Sequence, residues 1–213
     1  MKLLKFVKID FIRLKTNRSL LVLWPLSILI IMLFSGKANT LFVYLYCLFG
    51  GIIFSTIPLD SHSSSGFLKM LPSKEGDDVR GHFLFSFCLL LLSMLFALAA
   101  TQAVTLYRPE FSALPAKQVL LLFSLSVLIT ALQNLILCTF RSNNVQAMQM
   151  LRMGPAFLFY FGTLVVADHL PKIQHFFAGW FQLRNVCLLL LICFLFYCII
   201  AQFSAVLISR RDD

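Results

Sequence analysis

The chain has 213 residues, of which 60% are hydrophobic and 13% charged, with 23 phenylalanines and a formal net charge of +9. Soluble domains average about 45–50% apolar and about 25% charged residues, so a single soluble core would leave much of this apolar surface in water. The composition points instead to an all-α, polytopic membrane protein in a single transmembrane domain, 1–213. It leaves no room within these residues for a separate soluble catalytic domain, so nucleotide chemistry would have to come from a partner.

The chain opens with Met1–Lys15, MKLLKFVKIDFIRLK. Leu4, Val7, Phe11 and Leu14 recur at helical spacing with Leu3 alongside, while Lys2, Lys5 and Arg13 lie on other faces and Lys8 and Lys15 border the stripe. This pattern predicts a basic amphipathic helix over 1–18 lying in a membrane interface. Each Lys or Arg near an anionic leaflet contributes about 1 kcal/mol. The basic stretch is long and no A-x-A site follows, so the segment reads as a retained first span preceded by an interfacial helix, not as a cleaved leader.

Crossing the ~30 Å hydrocarbon core takes about 20 apolar residues. That criterion predicts six spans: Ser19–Phe34, Thr40–Pro58, His82–Tyr107, Gln118–Phe140, Gly154–His169 and Val186–Ile208. Runs such as LLVLWPLSILIIMLF show no inside/outside alternation, which excludes a barrel, the other spanning solution. Gly50–Gly51, Ser93/Ala97 and Ala99/Ala103 supply small side chains where helices could approach closely. Gln102, Gln133, Asn134 and Gln202 are polar groups suited to bonds between helices. Asp168 and His169 stand at the end of the fifth span with no second buried acid or base beside them. The following connector carries Phe176, Phe177, Trp180 and Phe181, an aromatic set expected at a membrane edge.

The connector Asp60–Arg80, DSHSSSGFLKMLPSKEGDDVR, concentrates Asp60, Glu75, Asp77 and Asp78, four of the nine acidic residues. Its flexible Ser61–Gly66 leads into an apolar knot, Phe67, Leu68, Met70 and Leu71. Apolar side chains in a polar loop point to a docking contact.

Lys and Arg divide unevenly between the two ends of the spans. The N-terminal segment, the second and fourth connectors and the C-terminal tail hold thirteen of the 18, and the remaining connectors hold five. The positive-inside rule then places both termini in the cytoplasm. Because the basic residues flank spans, the charge argues for a lipid surface and against a nucleic-acid partner. All six cysteines lie in apolar runs without CxxC or Cys/His spacing, so neither a disulfide framework nor a metal site is expected. No phosphate loop, HExxH, GxSxG or paired span glutamates occur, so no catalytic residue is assigned.

A basic N-terminal helix, two spans, and then an acidic residue followed by Phe67–Leu68–Lys69–Met70–Leu71–Pro72–Ser73 and charged residues resembles the ABC-2-type exporter permeases of bacteria. The layout is most similar to the small six-span group that includes the phenol-soluble modulin exporter permeases. Ser61–Ser65 stands where that family carries a more charged stretch. The resemblance implies a permease in the bacterial plasma membrane, pairing with a second copy or homologue and resting on a separate cytoplasmic ATPase. No cofactor would be bound by this chain, and ATP and Mg would sit on that ATPase. The resemblance makes 59–81 the coupling loop, with Phe67, Leu68, Met70 and Leu71 as docking knobs and Lys74, Glu75, Asp77 and Asp78 setting register. It implies outward transport, and a conduit lined by Phe, Leu and Met suits amphipathic or hydrophobic cargo. Two other readings are a vitamin-capture subunit of an energy-coupling-factor importer, though Ser19–Phe34 lacks alanine, and an intramembrane enzyme using Asp168 and His169.

Overall fold

A computed structural model describes residues 2–16, 22–27, 40–60, 76–107, 114–139, 150–151, 153–165 and 182–209. Among these, every regular element is helical. The elements are α1 (Lys2–Thr16), α2 (22–27), α3 (Thr40–Asp60), α4 (Asp77–Tyr107), α5 (Ala116–Thr139), α6 (Met153–Val165) and α7 (Leu183–Ser209). In hydrocarbon no water is available to bond backbone N–H and C=O groups, so a continuous helix is the stable state of each apolar run.

Four segments are long and apolar enough to cross a membrane: Thr40–Ile57, Asp77–Leu106, Ala116–Thr139 and Leu183–Leu207. They correspond to the second, third, fourth and sixth expected spans. The fifth is represented by α6, a shorter apolar helix, and the first by the single short stretch α2. At 1.5 Å per residue, α4 is about 45 Å long and exceeds the ~30 Å hydrocarbon core. Its N-terminal Asp77, Asp78 and Arg80 mark the end that emerges.

That end begins five residues before the expected start of the span at His82. Gly76 turns the chain with φ +83°, a left-handed conformation open to glycine at little cost. A side chain there would also meet Ala205 of α7, whose Cβ and carbonyl oxygen both lie 3.0 Å from the Cβ position. Asp77 and Asp78 then occupy the first turn, where the helix dipole favours acidic groups. The Arg80 amide donates to the Gly76 carbonyl at 3.1 Å, closing that turn.

α3 packs along α4 and α5 along α7, while α4 touches all of α1, α3, α5 and α7. The main core joins Leu45, Leu48 and Ile52 of α3 to Phe83, Leu90 and Ala97 of α4 and to Val127 and Ala131 of α5. The α3–α4 approach is close, as the Gly51 and Ser93/Ala97 positions predict: a Cβ on Gly51 would lie 2.6 Å from Ser93 Oγ. Ala97 is buried at this contact, whereas Ala99 and Ala103 face outward. α7 is the least covered span, with 22% of its apolar window buried against 61% in α3. Its outward side, including Leu191, Leu195 and Ile199, is an environment for lipid rather than water.

α1 lies on a second, smaller cluster made of Val7, Leu14, Phe54, Phe85 and Leu89. Here the structure differs from the stripe read in the sequence. Val7 and Leu14 are buried with Phe6 and Asp10, but Leu4 is 65% and Phe11 36% exposed. The helix has a protein partner on one side, so its inward face is set by what α4 offers and not by hydrophobicity alone. Leu4, Phe11 and Ile12 are left outside, beside exposed Lys5, Lys8 and Lys15.

Candidate functional site

Two of the polar groups that sequence reasoning placed on separate spans, Asn134 and Gln202, converge on the first turns of α4. Helical periodicity sends residues 80–86 toward different neighbours, and four of the seven make a polar link. Arg80 Nε donates to Gln202 Oε1 of α7 at 3.0 Å and its Nη1 pairs with Asp77 at 3.3 Å. His82 Nδ1 donates to Asp10 Oδ2 of α1 at 3.1 Å, because a carboxylate can only accept. The Phe83 carbonyl accepts from Tyr197 Oη of α7 at 2.6 Å. Ser86 Oγ donates to the His82 carbonyl at 3.0 Å and accepts from Asn134 Nδ2 of α5 at 3.0 Å.

The cluster is dry. His82, Ser86 and Asn134 are 2%, 0% and 0% exposed and Asp10 is 5% exposed. Asp10 is also within 3.6 Å of Arg13, so its carboxylate faces one guanidinium and one imidazole. A buried carboxylate without such partners would be costly. Among the described residues His82 Nε2, Asn134 Oδ1 and Ser204 Oγ have no hydrogen-bond partner. No group of three His, Cys, Asp or Glu capable of holding a metal occurs among those residues, and the six cysteines are free.

Of the expected docking residues, Phe67, Leu68, Met70, Leu71, Lys74 and Glu75 lie outside the described residues. Asp77 and Asp78 are described: Asp77 is buried against Arg80, and Asp78 Oδ1 accepts from the Val79 amide at 2.8 Å. Their contacts are made within α4. Of the expected interface residues, Lys5, Lys8 and Lys15 are exposed on α1 and Arg13 is half-buried against Asp10. The Lys2 side chain and Trp180 lie outside the described residues, as do Asp168, His169 and the aromatic connector. Asn134 and Gln202 do bond between helices, as their residue types predict.

Asp10 and His82 are the pair that sequence reasoning missed. They are separated by 72 positions, and no local pattern links them. A signal was nonetheless present: Asp10 is the one acidic residue of α1 and stands three residues after Val7 and four before Leu14, which places it on the buried side.

This arrangement ties four helices at one end of the bundle. The family model for the ABC-2 family transporter protein matches residues 5–211. The chain belongs to the ABC-2 transporter family. No curated protein and no solved structure matches it. Members of the ABC-2 family are membrane components of ABC transporters, typically without an ATPase of their own, and generally work with a cytoplasmic ATPase subunit. In this ABC-2 protein, the start of α4, on which these ties converge, directly follows residues 61–75, the connector with the apolar knot.

Proposed function

We propose that this chain is the permease subunit of a bacterial ABC exporter that moves amphipathic or hydrophobic cargo, peptides foremost, out through the plasma membrane. It would pair with a second copy or a homologous permease. A separate cytoplasmic ATPase, binding ATP and Mg, would supply the energy. The observation that carries this reading is the family match over 5–211. The polar ties at the first turns of α4 agree with it, because a push on the connector before Gly76 would reach α1, α5 and α7 together.

In this reading Phe67, Leu68, Met70 and Leu71 enter a groove on the ATPase, and Lys74 and Glu75 fix their register. Asp77 and Asp78 would set register from the first turn of α4, where Asp77 pairs with Arg80 and Asp78 accepts from the Val79 amide. α1 lies against the inner leaflet through Lys5, Lys8 and Lys15, with Lys2 and Arg13 adding to its basic character. Apolar and aromatic side chains dominate the spans, which favours hydrophobic cargo over sugars or ions.

Each buried docking side chain would contribute roughly 1.5–3 kcal/mol. Replacing Leu68 or Leu71 by Asp reverses that contribution at its site. Purification of the tagged chain in mild detergent should retain a stoichiometric nucleotide-binding subunit, and Leu68→Asp or Leu71→Asp should lose it while inserting in the membrane normally. Equal recovery of that subunit with both variants would remove the docking assignment. Recovery of none with the unmodified chain would remove the exporter reading itself.

A further inference from the structure

We propose that Asp10 and His82 are positioning residues that fix α1 to the first turns of α4, so that the two helices move as one body when the connector 61–75 is displaced. The link to transport rests on the permease reading above, and the physical linkage stands on the geometry.

The backbones of α1 and α4 meet where Gly81 leaves room. A Cβ on Gly81 would lie 2.5 Å from Phe6 Cβ and 3.5 Å from the Leu3 carbonyl oxygen. The Phe6 Cβ is fixed to its own backbone, so the fit admits no easy rotation. One residue further on, His82 reaches Asp10 at 3.1 Å, with both side chains nearly inaccessible to solvent. Phe11 of α1 meets Phe85 of α4 edge-on at 4.9 Å.

These contacts divide the work. Apolar burial supplies attraction but tolerates sliding, because dispersion and hydrophobic contact have no direction. A buried polar or ionic pair is weak evidence for net stability, and its best attested role is to fix register. A hydrogen bond loses strength quickly as it lengthens or tilts. The Asp10–His82 pair therefore sets where α1 sits along α4, while Val7 and Leu14 hold it there. The same two turns are also bonded to α7 and α5, through Phe83 and Ser86. α1 is thus a handle on α4 and not only a membrane anchor.

The test uses the full chain purified with its ATPase subunit in nanodiscs of phosphatidylethanolamine and phosphatidylglycerol, read by amide hydrogen exchange. A 15-residue helix is marginal by itself, so the exchange of α1 reports its attachment. Without nucleotide, Asp10→Ala and His82→Ala should each speed exchange across α1 by roughly tenfold or more. The exchanged pair, Asp10→His with His82→Asp, should return it to near the unmodified rate, and Lys8→Ala should change nothing. With ATP and vanadate, peptides from α1 and from the start of α4 should change together in the unmodified complex. In Asp10→Ala only the α4 peptide should respond. That split is something a merely stabilising pair would not produce.

Unaltered α1 exchange in both single variants would overturn the linkage, as would failure of the exchanged pair to restore it. A response of α4 to ATP without α1 in the unmodified complex would overturn the coupling. Absence of any ATPase in the purified material defeats the permease reading separately, and the nucleotide-free comparison still decides the linkage.

Discussion

Gly50 and Gly51 are adjacent in α3 but meet different neighbours, and this decides how each tolerates a methyl group. A Cβ on Gly50 would fall 2.2 Å from Trp24 Cε2. That ring is stacked on Tyr46 at 4.3 Å and set edge-on to Phe54 at 5.4 Å, so it cannot shift without disturbing both. A Cβ on Gly51 would meet Ser93 Oγ at 2.6 Å and its Cβ at 3.1 Å, and the hydroxyl can rotate away. Replacing a helix-interior glycine by alanine gains about 1 kcal/mol, whereas overpacking costs typically 1–3 kcal/mol. Gly50→Ala should therefore destabilise the detergent-solubilised protein by about 1–2 kcal/mol, and Gly51→Ala should be close to neutral in the same denaturant titration. Equal stability of Gly50→Ala and the unmodified chain would contradict the Trp24 packing. The close approach at Gly51 was legible in the sequence because small residues in spans have few other uses. The Trp24 contact was not, since no spacing rule joins α2 to α3.

At the scale of helices, the sequence establishes element type far better than element orientation. α3, α4, α5 and α7 are apolar nearly all round, so periodicity cannot say which side faces protein and which faces lipid. Polar residues carry that information, and they were only partly readable: Asn134 and Gln202 announced themselves, whereas Ser86 and Tyr197 look like ordinary span residues. α1 shows the complementary failure, because its stripe of Leu4, Val7, Phe11 and Leu14 is a poor guide to its protein partner: Val7 and Leu14 are buried while Leu4 and Phe11 are exposed. The ties among α4, α5 and α7 can be ranked. Tyr197→Phe removes the bond to the Phe83 carbonyl, which remains bonded within α4, and leaves Ser86 and Asn134 bonded to each other, so its cost should fall near the membrane average of about 0.6 kcal/mol and below about 1.7. Ser86→Ala removes the acceptor facing Asn134 Nδ2 at a fully buried site, and should cost more, about 1–3 kcal/mol. Unfolding titrations of the two variants side by side check the order, and a larger loss for Tyr197→Phe would mean that the network is held from α7 rather than from α5.

For the whole molecule, charge distribution and geometry agree on a two-ended arrangement. The Lys and Arg count groups the N-terminal segment, the second connector and the C-terminal tail on one side. The structure independently gathers their neighbours: Asp10 of α1 meets His82 near the start of α4, and Gly76 and Arg80 meet Ala205 and Gln202 near the end of α7. Segments bonded to one another at one end of the bundle would share one face of a bilayer, because α3 and α4 are each long and apolar enough to cross it. Which face they occupy is a separate matter from their being together, and the positive-inside bias, thirteen of 18 basic residues, leads us to propose the cytoplasmic one. Reporter fusions distinguish the two. Green fluorescent protein joined after Asp213 should fluoresce and alkaline phosphatase at the same place should be inactive, while phosphatase inserted within 108–115 should be active. Inversion of all three results would reverse the orientation and leave the shared end intact. Phosphatase activity at both places would break the shared end itself, and with it the argument that one push at residues 61–75 reaches every helix tied to the first turns of α4.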